Sequence, residues 1–113
     1  MLSVKDKGLL IKIIKHCQRI ESKVSGVCKE CFEKNEDLKE IVCFNIFQIG
    51  ELVKHLSKEF TNNYNKMPWS DICGMRDIIV HGYGTVELDQ VWQTISEEIT
   101  PLKEYCDEIV KQN

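Results

Sequence analysis

Apolar residues along the chain fall mostly at helical spacing. Leu10, Ile13, Ile14, Cys17, Ile20 and Val24 recur three and four residues apart, which places them on one face of a helix. Ser3, with Asp6 three residues on, can cap its start, and Gly26 is a natural stop. Residues 27–34 are ambiguous and read as a short turn pinned by Phe32. Asn35, Glu36 and Asp37 then supply a cap and negative charge where a helix begins. The helix they open is expected to run to about Glu59. It is apolar round most of its circumference, with Ile41, Val42, Phe44, Ile46, Phe47, Ile49, Leu52, Val53 and Leu56. Such a helix needs more than one neighbour, so it is either central in a bundle or also meets a second subunit. Gly50 would admit a close helix there.

The polar stretch TNNYNK, residues 61–66, breaks the pattern before Pro68 opens a third helix. Trp69, Ile72, Met75 and Ile79 share its inner face, and Gly82 and Gly84 stop it. A fourth helix begins at Glu87 and Asp89 and carries Leu88, Val91, Trp92 and Ile95. Pro101, with Thr100 as its cap, restarts or kinks that helix, and Leu102, Tyr105, Cys106 and Ile109 continue the apolar face. The pattern predicts an all-α fold, a four- to five-helix bundle of mostly up-and-down topology, as one domain over residues 1–113.

Composition narrows the possibilities. A chain of 113 residues can build one core, and 29% charged residues with few aromatics favour helix over sheet. The net charge of -3 excludes a protein that coats nucleic acid, so any such contact must be local. Lys12, Lys15, Arg19 and Lys23 form a stripe on the outer face of the first helix. It is either a solvated surface or a track for a phosphate backbone. The first residues have neither the apolar stretch nor the small-residue cleavage site of a signal peptide. No apolar run reaches the ~18 residues of a membrane span, so a cytoplasmic protein with no membrane partner is expected.

Without a secretion signal, the six cysteines are expected to be reduced. Cys17, Cys43, Cys73 and Cys106 sit among apolar neighbours as small hydrophobes. Cys28 and Cys31 form a CxxC with no second pair to complete a zinc site, so neither a metal nor a cofactor is expected. His16 and His55 read as surface residues.

Candidate chemistry gathers at the end of the third helix, in Arg76-Asp77-Ile78-Ile79-Val80-His81-Gly82-Tyr83. Arginine offers a charged planar fork suited to phosphate oxygens, and histidine moves protons near neutrality. Together they match what RNA cleavage without metal requires. A base takes the 2′-hydroxyl proton, a cation holds the pentavalent phosphorus, and an acid protonates the leaving oxygen. Asp77 can orient Arg76 or His81. On an unbroken helix, however, positions 76 and 81 stand about 140° apart. Either the backbone breaks after His81 or a second copy supplies the missing partner. A helix-end cap with a salt bridge, without catalysis, is the structural alternative.

A helical domain of this length with a helix ending in Arg-x4-His resembles the HEPN domains, a class that includes metal-independent ribonucleases. The extension RDIIVHGY is similar to the HepT-like toxin branch, as are Ile49-Gly50-Glu51 and the segment PWSDICGMRD before the motif. The resemblance implies a homodimer that unites two motifs in a shared cleft, with Arg76 and His81 catalytic on RNA. It also implies a small nucleotidyltransferase antitoxin of the MntA type, which transfers AMP from ATP to Tyr83. Two other readings remain open: a non-catalytic nucleotide- or substrate-binding subunit of such a transferase, and a helical interaction protein.

Overall fold

A computed structural model describes residues 2–82 and 88–113, and for residues 76–82 the backbone alone. The first helix, α1 (Val4–Val24), is capped by Ser3, whose hydroxyl accepts from the Asp6 amide at 3.0 Å. It stops at Gly26, whose positive φ of 74° is a conformation other residues rarely adopt. A short α2 (Lys29–Lys34) follows, with Phe32 buried against Trp92 at 5.5 Å between ring centroids.

The next helix, α3 (Glu36–Lys54), begins with Asn35 accepting from the Leu38 amide at 3.0 Å. It ends five residues before the expected Glu59. The His55 amide closes onto the carbonyls of Leu52 and Val53, and Ser57 then caps a separate short helix, α4 (Lys58–Asn63). The cause lies far away in sequence. Asp6, only 3% exposed, accepts from the Ser57 amide at 3.0 Å and from its hydroxyl at 2.6 Å. That pair draws Ser57 out of α3 and fixes the corner. The polar stretch TNNYNK is therefore partly helical, and the break is confined to residues 64–68.

Pro68 directly precedes α5 (Trp69–Gly82), its carbonyl accepting from the Ile72 amide at 3.0 Å. The Trp69 indole donates to the Tyr64 carbonyl at 2.7 Å, and its ring meets Phe60 and Tyr105, which seats the start of α5 against α4 and the last helix. The last part of the chain is one rod of three segments: α6 (Leu88–Gln93), a π-helical turn at Thr94–Glu98, and α7 (Ile99–Gln112). Thr100 does not cap it; its hydroxyl donates to Glu21 on α1. Pro101 lacks an N–H, and its ring would press on the carbonyl four residues back in a regular helix. The wider turn just before it, with the Ile99 amide bonded to the Thr94 carbonyl, absorbs that misfit without a break.

The four long rods surround one core. Asp6 pairs with Ser57 and His16 with Asn45, so α1 and α3 run antiparallel. Glu21 meets Lys103 at 2.7 Å and the Leu2 amide meets Asn113, so α1 and α7 are antiparallel too. The other side of α3 carries α5, which also faces α7 across Trp69 and Tyr105. The rods α1 and α5 therefore lie on a diagonal of the square. Leu10, Ile13, Ile20, Val42, Ile46, Ile49, Ile99 and Leu102 fill the centre, each at most 2% exposed. The fold is all-α, and no strand occurs among the described residues. None of these helices is long and apolar enough to cross a membrane.

Candidate active site

Helix α5 positions the motif. Trp69, Ile72 and Met75, all buried, mark the stripe that α5 turns toward the core. Asp71 and Gly74 lie on its exposed side. The helix continues without interruption through Arg76, Asp77, His81 and Gly82. Gly82 is its last residue, so the backbone stays helical through His81. The side chains of residues 76–82 are not described, and Tyr83, Gly84 and Glu87 lie outside the described residues.

Backbone register still ranks the positions. Position 76 falls on the flank of the buried stripe and position 81 on the opposite face, about 140° away. Position 77 falls about 100° from position 76. One chain therefore does not offer Arg76 and His81 from a single face of α5.

The basic stripe is where its spacing puts it. Lys12, Lys15, Arg19 and Lys23 are all exposed on α1. Helix α1 carries six Lys or Arg against Asp6 and Glu21, a local charge of +4, which leaves -7 on the rest of the chain. The charge is thus strongly segregated. Because α1 is diagonal to α5, however, the stripe and the motif occupy different sides of the protomer.

His16 differs from the surface residue its helix face suggested. It is half-buried, and its Nδ1 lies 2.8 Å from Oδ1 of Asn45, which is 1% exposed. The Asn45 amide nitrogen also donates to the Ile41 carbonyl at 2.7 Å. An asparagine amid the apolar run of α3 was the available signal, since a buried amide needs partners. The pair ties α1 to α3 beside the basic stripe. His55 is exposed, as its position suggests.

The cysteines divide into two groups. Cys17, Cys43 and Cys106 are buried free thiols and Cys73 is half-buried. Burial pushes Cys17 and Cys106 up to about 12 and raises Cys43 as well, so all three stay protonated and inert near neutrality. Cys28 and Cys31 are exposed and touch each other. Among the described residues, no three His, Cys, Asp or Glu side chains gather as a metal site.

The domain is thus an all-α bundle of four long rods, the third of which carries Arg-x4-His at its end. The family model described as "Ribonuclease HepT-like" matches residues 13–109, and the chain belongs to this HepT-like ribonuclease family. Among similar proteins, a "Putative RNase" of Caldanaerobacter subterraneus subsp. tengcongensis is 36% identical over 88% of this chain and 89% of its own length. The "Probable ribonuclease HepT" of Thermococcus cleftensis is 29% identical over 86% of this chain and 88% of its own. A Methanocaldococcus jannaschii protein named "Gamma-glutamylcyclotransferase and putative RNase" is 31% identical over 94% of this chain, which spans 48% of that longer protein. No solved structure matches the chain.

Proposed function

We propose that the protein is an RNA endonuclease that works without a metal ion, with Arg76 and His81 contributed by two copies of the chain. The observation that carries this reading is the unbroken course of α5 from Trp69 to Gly82. Positions 76 and 81 of one such helix stand about 140° apart, whereas a facing copy would bring a second motif to a phosphate held by the first. Arg76 holds the charge that builds on phosphorus, His81 moves the proton of the 2′-hydroxyl or the leaving oxygen, and Asp77 orients one of them. The surface of α3 supports pairing. Phe44 is 54% exposed there, with Ile41, Phe47 and Leu52 half-buried around the same helix.

In the same reading the protein is the toxin of a toxin–antitoxin pair in the cytoplasm. Its partner is a minimal nucleotidyltransferase that adds AMP to Tyr83. The added phosphodiester carries negative charge and bulk two residues from His81, which would occupy the Arg76 fork and keep RNA out. The charge of -7 outside α1 favours a second reading, a non-catalytic nucleotide- or substrate-binding subunit of such a transferase.

The test is induction of the chain in cells, as wild type and as Arg76→Ala with His81→Ala, while growth and RNA integrity are followed. Growth arrest with RNA loss in the wild type only is expected. An equally toxic double variant refutes the catalytic assignment, and a harmless wild type favours the second reading. Coexpression with the transferase should place whole AMP units on Tyr83, seen by peptide mass spectrometry. An active transferase that leaves Tyr83 bare removes that part of the proposal.

A further inference from the structure

The CxxC of the chain has no place in RNA cleavage, yet its two thiols are arranged for chemistry. Cys28 stands just before α2, and its sulfur accepts from the Cys31 amide at 3.1 Å. The two sulfurs stand 2.7 Å apart in a thiol–thiol hydrogen bond. Both residues are exposed, unlike Cys17, Cys43 and Cys106. The two sulfurs are thus within about 1 Å of the ~2.05 Å of a disulfide bond, and an (i, i+3) pair on one turn meets the Cα separation such a bond needs. The amide hydrogen bond separates the pair by role, because it reaches the Cys28 sulfur and not that of Cys31. The Cys31 thiol and amide hold Cys28 below the ordinary thiol value, and the hydrogen bond with Cys28 raises Cys31.

We propose that Cys28 and Cys31 form a redox-active dithiol that small-molecule disulfides oxidise reversibly to an intramolecular disulfide. Cys28 is the attacking thiolate. It displaces one thiolate from a low-molecular-weight disulfide such as oxidised glutathione, breaking that S–S bond and forming a mixed disulfide on Cys28. The negative charge on the Cys28 sulfur then disappears, and with it the reason for Cys31 to keep its proton. The Cys31 thiolate attacks the Cys28 sulfur, closes the protein disulfide and expels the second small thiolate. Two protein thiols lose two electrons and two protons, and the small disulfide becomes two thiols. The same turn holds α6 through the Lys29–Asp89 ion pair at 2.8 Å and the Phe32–Trp92 contact. Helix α6 is the next described element after the motif in sequence, so the thiols sit on the turn that packs against it.

The site is tested on the full chain in glutathione buffers of graded oxidised-to-reduced ratio, quenched with acid and alkylated. Peptide mass spectrometry then reads each cysteine. The expected result is a Cys28–Cys31 disulfide that appears while Cys17, Cys43 and Cys106 remain free and that dithiothreitol reverses. Cys31→Ser should accumulate glutathione on Cys28, whereas Cys28→Ser should leave Cys31 at least tenfold slower to react. Both residues are exposed, so circular dichroism of the two variants should match wild type. A pair that stays reduced in oxidised glutathione, a linkage to a second chain in place of the internal one, or equal reactivity of the two single variants would overturn the proposal.

Discussion

Asp6 shows how a residue can have a role its neighbours do not announce. Its spacing from Ser3 suggests a capping pair, and its amide does meet the Ser3 hydroxyl, but its carboxylate serves Ser57 across 51 residues of sequence. Burial raises its pKa, yet hydrogen bonds from the Ser57 hydroxyl and amide outweigh this and leave it below 3.8. Glu21 behaves likewise: burial is outweighed by Lys103 and Thr100, leaving it below 4.5. Groups depressed in the folded state stabilise it above their unfolded pKa, and that contribution is lost as pH falls through the folded value. Cys17 and Cys106 have the opposite sign. They ionise near 9.0 when unfolded but only at about 12 in the core, so their contribution is complete below 9.0 and lost as pH rises toward 12. The melting temperature should therefore plateau near neutrality, fall below about pH 4 and fall again above about pH 9. Asp6→Ala should flatten the acid limb and cost about 1.5–3 kcal/mol near neutrality, as a charged group's hydrogen bonds would. An unchanged acid limb in that variant would show that Asp6 is not the group responsible.

At the scale of elements, the apolar periodicity carried most of the fold, because each long helix buries a face that repeats every three or four residues. The start of α1, the stop at Gly26, the Asn35 cap and the entry at Pro68 were all legible for the same local reason. Long-range contacts were not. The early end of α3 depends on Asp6, and Thr100, read as a cap, instead joins Lys103 in reaching Glu21 on α1. The His16–Asn45 link belongs to this second group. Replacing Asn45 with Ala would leave the half-buried imidazole without its partner, and a loss of about 1–3 kcal/mol in urea unfolding is expected. Equal stability of the variant would mean that solvent already satisfies His16. In the candidate site, Arg76 and His81 were legible as residue types and spacing, and the backbone adds their register. The geometry around Tyr83 lies outside what the structure describes.

The whole molecule joins two features that a single chain keeps apart. The basic stripe on α1 and the motif on α5 occupy opposite corners of the square, and the two motif residues stand on different faces of one helix. The proposed pairing of copies would address the second separation, and a strand of RNA running round such a dimer would address the first. If the stripe tracks RNA, reversing Lys15 and Arg19 should reduce the slope of log K against log salt by about 0.7 for each phosphate of a single strand that is no longer neutralised. An unchanged slope would return the stripe to solvated surface and leave the cleavage claim standing. Sedimentation at micromolar concentration should show a dimer, and Phe44→Glu should shift it toward monomer with little change in melting; a monomeric wild type would remove the composite site.

The most direct measurement is cleavage of a labelled RNA in EDTA by wild type, by Arg76→Ala, by His81→Ala, and by the two variants unfolded and refolded together. Wild type should cleave and each variant alone should be silent. The mixture should regain about a quarter of wild-type activity, since half of the dimers would be mixed and each would hold one intact Arg76–His81 pair across the interface. A silent mixture, or an active single variant, would contradict a site shared between two copies.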